Sequence, residues 1–380
     1  RRGRQTGVTN TNDAITYVHN DAGQLVAEVH GAGVLDGLTI TNTYDHLLRR
    51  TNLAAFNAST QLTASAYGYD HASRMASVSD GTNSAHYGYL ANSALVESIA
   101  FKQSGTTRMT TTKSYDYVNR LTGVSSTSSV AAVSFAYAYN SANQRTRVDE
   151  ADGSYWLYEY DSLGQVTSAK RYASGGYVMP GQQHEYTYDD IGNRKTAKSG
   201  GNQYGTSLRE STYGVNALNQ YTNRTVPGYI EVQGSAASNA TVTVNNESTT
   251  RQGAYYRKEL TVNNSPAAVW QSITNVAVLN GAGTNGTDIV TTMTGNALVP
   301  KTPEAFTYDA DGNLTSDGRS TYTWDAENRL LQVESLTNAP TGAKVKVAWT
   351  YDARSRRIQQ KSYTEKSGTL VLTSNLKFLA

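Results

Sequence analysis

The chain has 380 residues, a net charge of +2 at pH 7 and no cysteine. The lack of cysteine excludes disulfides, thiolate metal sites and a catalytic thiol. A charge so close to zero gives no electrostatic case for binding nucleic acid or acidic membranes. Tyr (27) outnumbers Phe (5), which favours a sheet with one hydrated face over a dry core, because each Tyr hydroxyl needs a polar partner.

Residues 1–16 are a polar lead-in with a basic start at Arg1, Arg2 and Arg4. We interpret this start as the solvated edge of a strand, with a dibasic-type processing site as the alternative. The chain opens on Arg, shows no signal peptide and has no apolar run of the ~20 residues that span a bilayer. We therefore expect an internal segment of a longer protein.

A short hairpin unit recurs from residue 17 to residue 225 and again after residue 300. In its fullest form Tyr188 ends a strand, Asp189 accepts hydrogen bonds from the backbone two or three residues on, and Gly192 supplies a positive φ. Asp or Asn occupies the turn position in eleven of twelve units. The twelve turn positions are Asn20, Asp45, Asp70, Leu90, Asp116, Asn140, Asp161, Asp189, Asn216, Asp309, Asp325 and Asp352.

The residue before the turn is aromatic in ten units, and the residue three places after it is Gly or Asn in eight. Ten of the eleven spacings between turns are 16 to 28 residues, which fits two short strands and no helix. Because single hairpins are marginal, we expect one long antiparallel sheet that curls, with the tyrosines paired across strands. The predicted structural turn residues are Tyr44, Asp45, Tyr69, Asp70, Tyr115, Asp116, Tyr160, Asp161, Gly164, Tyr188, Asp189, Gly192, Tyr308, Asp309, Gly312, Trp324, Asp325, Tyr351 and Asp352.

Residues 226–300 lack the unit, and prolines that cannot continue a strand ladder lie at both ends. Short alternating segments there predict five or more strands. We expect a small β-sandwich inserted at an exposed loop. Its best candidates for stacking on a sugar or another ligand are Tyr255, Tyr256 and Trp270, with a role in the domain core as the alternative.

Three other sets of residues are better explained as structure than as chemistry. His46 and His71 occupy the same place in successive units but lack a third metal ligand. The Gly-rich loop 281–286 lacks the Lys and the helix of a phosphate loop. Paired carboxylates lie at predicted turns, where Asp bonds the backbone; the pairs are Asp189 with Asp190, Asp309 with Asp311, and Glu150 with Asp152. We predict no catalytic, metal or cofactor site.

The Tyr-Asp units resemble the YD repeats of the RHS family, which includes bacterial Rhs polymorphic toxins, the C components of Tc toxin complexes and teneurins. Units such as 115–121, 160–166, 308–314 and 324–330 carry the resemblance, which covers nearly all of the chain outside residues 226–300. It implies a cocoon of spiralling YD strands around a C-terminal polypeptide, commonly a toxin released by self-cleavage. The family's cleavage motif contains Asp-Pro, and this sequence has no Asp-Pro. We therefore assign no residue to self-cleavage.

We therefore predict an all-β fold: a spiralling antiparallel YD-repeat sheet as a shell wall, with a small inserted β-sandwich. Residues 1–225 are the first part of the shell, residues 226–300 the insert and residues 301–380 the second part. The expected function is that of a shell segment, without enzymatic activity, of a secreted or cell-surface bacterial toxin protein.

The partner implied by the resemblance is the C-terminal cargo or toxin polypeptide. A surface glycan or a secretion-machinery protein is a further partner, whereas nucleic acid and a membrane span are not expected. The alternative function is a cell-surface adhesive or filament-forming repeat protein whose insert binds carbohydrate or a partner. An enzyme in its own right ranks third.

Overall fold

The computed structural model describes residues 3–129 and 132–379. Arg1 and Arg2, from the predicted basic start, and Ala380, from the predicted last strand, lie outside the described residues. Within the described ranges the secondary structure consists of strands and one 3₁₀ turn at Thr284–Gly286. The predicted all-β class is confirmed.

The chain divides into two compact units. The first comprises the described residues of Arg1–Tyr137, Ala348–Lys361 and Ser374–Ala380, and the second comprises Ala138–Val347 and Ser362–Thr373.

In the first unit each strand pairs antiparallel with the next strand along the chain. Hairpins that follow one another in this way need only short turns, as the spacing of the repeat predicts. The strands are β1 (Gly7–Thr9), β2 (Asp13–His19), β3 (Leu25–Gly33), β4 (Leu38–Tyr44), β5 (Arg50–Asn57), β6 (Thr60–Tyr69), β7 (Met75–Ser79), β8 (Asn83–Tyr89), β9 (Val96–Gln103), β10 (Thr106–Tyr115) and β11 (Leu121–Ser128), followed by β12 (Ala132–Tyr139), which the unit boundary divides.

The second unit begins with strands that follow the same rule, each pairing antiparallel with its neighbour in sequence. These strands are β13 (Arg145–Glu150), β14 (Tyr155–Tyr160), β15 (Val166–Tyr172), β16 (Val178–Tyr188), β17 (Arg194–Gly200), β18 (Leu208–Val215) and β19 (Tyr221–Arg224).

The register of the pairing shifts at the aromatic residue that precedes the turn. The shift lies between Thr43 and Tyr44, and between Thr187 and Tyr188 in the second unit. A bulge of this kind inserts an extra residue into one strand and increases the local twist. The extra residue lies in the strand after the turn, at Thr51 and at Lys195, a feature that the two-residue alternation of a strand does not reveal.

Residues 229–299 form two small sheets that share one apolar core. Val242 and Val244 of one sheet and Ile230 and Val232 of the other are two residues apart, so each pair points to the same face. The sheets have the strand orders β20-β24-β23 and β22-β21-β25-β26, where the strands are β20 (Tyr229–Ser235), β21 (Thr241–Val244), β22 (Glu247–Ser248), β23 (Thr250–Gln252), β24 (Tyr255–Thr261), β25 (Val269–Leu279) and β26 (Ile289–Val299).

The two ends of this segment lie side by side. Asn264 Nδ2 donates to the carbonyl oxygens of Val226 (3.0 Å) and Pro300 (2.7 Å). Shortly after the end of this segment at Pro300, β27 (Glu304–Ala305) pairs antiparallel with β19. The repeat sheet therefore resumes next to the strand at which it was interrupted.

The chain ends with a second run of repeat strands. Within the second unit, β28 (Thr307–Tyr308), β29 (Leu314–Ser316), β30 (Ser320–Trp324) and β31 (Leu330–Ser335) pair in chain order. The unit boundary divides β32 (Val345–Tyr351), β33 (Arg357–Lys366) and β34 (Thr369–Lys377). In the described part of the chain, no helix has the length and apolarity that a membrane crossing requires.

Candidate functional site

The repeat turns are closed by their acidic side chain. Asp189 Oδ1 accepts the backbone N–H groups of Ile191 (3.1 Å) and Asn193 (2.8 Å). These donors lie two and four residues on, whereas we predicted two or three. The N–H of Gly192 bonds the Asp189 carbonyl (3.1 Å), and Gly192 has a φ of 92°, which is the left-handed region that favours Gly.

The second carboxylate oxygen of most turn aspartates binds the side chain four residues on. Hydrogen bonds from Asn193 and Asn313 lower the pKa of Asp189 and Asp309 below its ordinary value. The bonded pairs are Asp45–Arg49 (2.8 Å), Asp70–Arg74 (2.7 Å), Asp116–Arg120 (2.6 Å), Asp189–Asn193 (2.9 Å), Asp309–Asn313 (3.0 Å), Asp325–Arg329 (2.7 Å) and Asp352–Arg356 (2.7 Å). Asp161 bonds backbone N–H groups of its own turn, in which Gly164 has a φ of 83°.

In eight of the repeats the aromatic residue before the turn reaches back to the preceding turn. Its hydroxyl, or the indole N–H of Trp324, donates to the backbone carbonyl five or six residues after the preceding turn position. A backbone carbonyl beside the bulge thereby gains a hydrogen-bond donor from the next repeat. The pairs are Tyr44–Leu25 (2.9 Å), Tyr69–Arg50 (2.7 Å), Tyr89–Met75 (2.6 Å), Tyr115–Val96 (2.8 Å), Tyr160–Arg145 (2.6 Å), Tyr188–Val166 (2.9 Å), Tyr308–Tyr221 (3.0 Å) and Trp324–Leu314 (2.8 Å).

A guanidinium adds a second contact between successive turns. The guanidinium of Arg49 lies over the ring of Tyr69, with its Cζ 4.6 Å from the ring centroid. The guanidinium of Arg74 lies over the ring of Tyr89, with its Cζ at 4.2 Å. Cation–π contacts of this kind stabilise by about 0.5–1 kcal/mol at exposed sites. The predicted ladder of ring-on-ring tyrosine pairs is therefore wrong at these turns, because a guanidinium and a Tyr–carbonyl bond make the link instead.

One turn is buried. Asp352 is fully buried, and Arg356 bridges it to the buried Glu28 of β3. On the same strand the imidazole of His30 lies 2.7 Å from Asp13 Oδ2 and 3.5 Å from Glu28 Oε1. The bonds from Glu28 and Asp352 raise the pKa of Arg356, although burial alone would lower it. This network was not predicted from the sequence, although charged residues at the inward positions of the alternating strands β2 and β3 were a signal for it.

The three aromatic residues singled out in the insert have three different environments. Tyr256 is buried in the insert's core, as the alternative reading held. The Tyr255 hydroxyl donates to Asp152 Oδ2 (2.6 Å), and the Arg171 guanidinium lies 5.2 Å from its ring centroid. Trp270 lies on β25, apart from the pocket that the two tyrosines line.

That pocket has a volume of about 550 Å³ and lies between strands β14–β16 of the repeat sheet and the small sheet β20-β24-β23. Its charged groups are held in ion pairs. Arg171 bonds Glu150, and its Nη1 donates to Gln182 Oε1 (3.0 Å). Residues from both sheets line it, namely Trp156, Arg171, Gln182, His184, Gln233, Gln252, Tyr255, Tyr256 and Arg257 among others. Those on β14–β16 were missed, because no sequence pattern shows which repeat strands face the insert.

The other candidates for chemistry lie in ordinary turns and loops. His46 and His71 are exposed, and the described residues contain no group of three or more His, Asp or Glu side chains that could hold a metal ion. The Gly-rich loop around the 3₁₀ turn bonds its own residues, with the Gly281 N–H donating to Asp288 (2.8 Å). Of the carboxylate pairs, Glu150 with Asp152 is the one beside the pocket, where Asp152 lies 3.8 Å from Arg171.

Known proteins match parts of this chain. Residues 139–177 match the RHS Repeat family. The tRNA nuclease WapA of Bacillus subtilis (strain 168) is 42% identical over 65 residues, which is 17% of this chain and 3% of that protein. The tRNA3(Ser)-specific nuclease WapA of Bacillus spizizenii (strain DSM 15029 / JCM 12233 / NBRC 101239 / NRRL B-23049 / TU-B-10) has the same identity and coverage. The chain thus spans a small fraction of these relatives.

A solved structure described as TcdB2-TccC3-Cdc42 is 12% identical, with a TM-score of 0.38 over 96% of this chain and 20% of that chain. The family match contains the turns at Asn140 and Asp161, and turns of the same construction recur through both units. The part of the chain at residues 139–177 is therefore an RHS repeat.

Proposed function

We propose that this chain is a wall segment of an RHS-type shell that encloses a C-terminal polypeptide, a toxin, of the same longer protein. The bond from the aromatic residue of eight turns to the preceding turn carries the proposal. It recurs on both sides of the insert, and the Tyr308–Tyr221 bond (3.0 Å) continues it past the 226–300 segment. A contact that recurs along the repeat in this way stacks neighbouring hairpins into a wall.

The surface chemistry supports the same role. Most repeat-strand residues are half-buried rather than fully buried, and the net charge is +2. A wall that is polar and nearly neutral can surround an unfolded chain without binding it tightly through an apolar patch or a field of one sign. We propose residues 226–300 as a domain inserted into this wall, and we assign no catalytic step to the segment.

The relatives support a toxin context. The matched proteins are named as tRNA nucleases, and this chain covers 3% of their length. In the proposal, nuclease-like activity belongs to the enclosed C-terminal polypeptide, and the whole protein acts in a secreted or cell-surface setting. In this proposal the segment encloses the C-terminal polypeptide, and its own residues take no part in the nuclease-like reaction.

The test uses the native full-length product. Intact mass spectrometry before and after mild proteolysis, without denaturant, measures whether a polypeptide downstream of residue 380 resists the protease. We expect that polypeptide to remain intact and to co-purify with the shell, and to be degraded once the shell is unfolded in urea. Prompt degradation of the downstream region under native conditions would contradict enclosure.

A second candidate is a surface-adhesive repeat protein. The pocket between the repeat sheet and the insert favours it, since a ligand site is of no use to a container. Degradation of the downstream region together with ligand binding at that pocket would support this candidate over the shell.

A further inference from the structure

The pocket between β14–β16 and the sheet β20-β24-β23 has no free charge to offer a ligand. Arg171 is paired with Glu150. Arg257 donates to Glu231 (2.6 Å) and Glu259 (2.8 Å). Phosphates and carboxylates are held by cations that are free to form bidentate bonds, and both guanidinium groups are already engaged. This arrangement favours an uncharged ligand.

His184 adds no charge at neutral pH. Burial lowers the pKa of its imidazole, and the ring lies against Trp156 with centroids 6.1 Å apart. A neutral imidazole offers one donor and one acceptor. It therefore suits a hydroxyl group, which also donates and accepts.

Several polar groups of the pocket have hydrogen-bonding capacity left over. Within residues 3–129 and 132–379, no partner is found for the Gln252 amide, the His184 ring nitrogens or the Tyr256 hydroxyl. Gln182 uses its Oε1 and Gln233 uses its Nε2, which leaves one donor and one acceptor. These atoms are open to solvent, so the polar groups of a ligand can bond them in place of water.

The same pocket also has apolar surface suited to a ring. Trp156 and Tyr255 line it from opposite sheets, and aromatic rings stack well on flat apolar faces. Its volume of about 550 Å³ lies inside the range of roughly 300–1,000 Å³ that is usual for ligand sites. Aromatic walls combined with mixed donors and acceptors match a molecule that has both apolar faces and many hydroxyl groups.

We propose that this pocket binds a neutral carbohydrate, with Trp156 and Tyr255 against the sugar rings and Gln182, Gln252 and His184 bonded to hydroxyl groups. The site differs from our sequence-based expectation, because Trp270 is not part of it and half of its wall comes from the repeat sheet. It does not rest on the shell function, since binding can be measured whether or not a cargo is enclosed.

The test is calorimetric titration of the whole chain with three neutral probes: maltotriose, cellotriose and triacetylchitotriose. We expect at least one to bind with a Kd of about 1 mM or tighter, and 3′-sialyllactose and inorganic phosphate to bind at least about tenfold more weakly. The proposal is overturned if none of the three neutral probes binds below about 10 mM, or if an anionic probe binds more tightly.

Variants locate the binding site. Gln252→Ala should weaken binding about fivefold to tenfold, because it removes one hydrogen-bonding group that has no role in the fold. Trp156→Ala should abolish measurable binding, but its stack with Tyr158 and His184 makes it the less safe variant. Trp270→Phe, outside the pocket, is the matched control and should bind as the unaltered chain does. Unchanged affinity in Gln252→Ala would contradict this site.

Discussion

The repeat turns and the pocket are built from similar residues, but they use them in opposite ways. At the turn of Asp189 both carboxylate oxygens and the hydroxyl of Tyr188 are bonded to the chain. In the pocket the amide of Gln252 and the ring nitrogens of His184 form no hydrogen bond with the described residues around them. In a chain this rich in Tyr, Asn and Gln, residue type does not indicate function. The difference lies in which polar groups the fold has already satisfied.

The turns also differ among themselves in how deeply their aspartate is buried. Asp189 is half-exposed and bonds its own turn, whereas Asp352 is fully buried and shares Arg356 with Glu28. The same position in the repeat therefore has two energetic roles. When the half-exposed Asp189 loses its bonds to Asn193, water can replace them, while breaking a buried ion pair leaves a charge without compensation.

The largest expected effect is that of Asp352→Ala. It removes the buried carboxylate that Arg356 shares with the buried Glu28, so we expect a loss of about 3 kcal/mol in the free energy of unfolding. Urea denaturation followed by circular dichroism measures this loss. Asp189→Ala, at the same place in a half-exposed turn, is the control and should cost clearly less. Equal losses for the two variants would show that burial does not distinguish the turns.

Acid should act on many turns at once. The pKa values of Asp189 and Asp309 are lowered in the folded chain by bonds from Asn193 and Asn313, so the unfolded chain takes up protons first as the pH falls. The stability that these bonds provide is complete above the unfolded pKa of about 3.9 and is lost as the pH falls through the lower folded values.

We expect the midpoint of thermal unfolding to fall steeply below about pH 4. Asp189→Asn should make this fall shallower, because Asn keeps the Oδ1 acceptor and cannot be protonated there. Asn already occupies this position at Asn20, Asn140 and Asn216. If the unfolding midpoint of Asp189→Asn falls with pH as it does in the unaltered chain, the acid sensitivity belongs to other groups.

A single link between turns should have a modest effect. Tyr188→Phe removes the bond to the Val166 carbonyl (2.9 Å) and should cost about 1 kcal/mol, the usual net value of a hydrogen bond. Tyr117→Phe is the control, because Tyr117 is fully exposed. Chemical denaturation of both variants measures the difference, and equal stabilities would remove the turn-to-turn bond from the account of the wall.

The smallest effect on stability is expected in the pocket. Gln252→Ala removes an amide without a partner, so the free energy of unfolding should change by less than about 0.5 kcal/mol. Differential scanning fluorimetry without ligand measures this. A larger loss would mean that Gln252 supports the fold.

The repeat was predictable because its turn chemistry is local. Asp189 and Gly192 lie within one hairpin, and short spacing fixes which strands pair. The pattern failed where one unit departs from it: after Leu90 the left-handed residue is Asn92 (φ 54°) rather than Ser93, and the Leu90 N–H bonds Leu95, five residues on.

The pocket and the buried network around Arg356 depend on contacts between residues that are far apart in the sequence. Arg171 and Tyr255 are 84 residues apart, and Glu28 and Arg356 are 328 apart. No period in the sequence records such pairs. Tyr255 was selected as an aromatic residue of the insert, but its partners Arg171 and Asp152 belong to the repeat sheet, so the pocket became visible only in the fold.

Thermal unfolding of three proteins, each with and without the tightest-binding trisaccharide, separates the two roles in one experiment. Tyr188 and Gln252 both belong to the second unit, so they report on the same transition. Tyr188→Phe should unfold at a lower temperature than the unaltered chain and keep the full rise on adding sugar. Gln252→Ala should unfold at the unaltered temperature and lose most of that rise. A lowered midpoint in Gln252→Ala without ligand, or an undiminished rise with it, would contradict the division between satisfied and open polar groups.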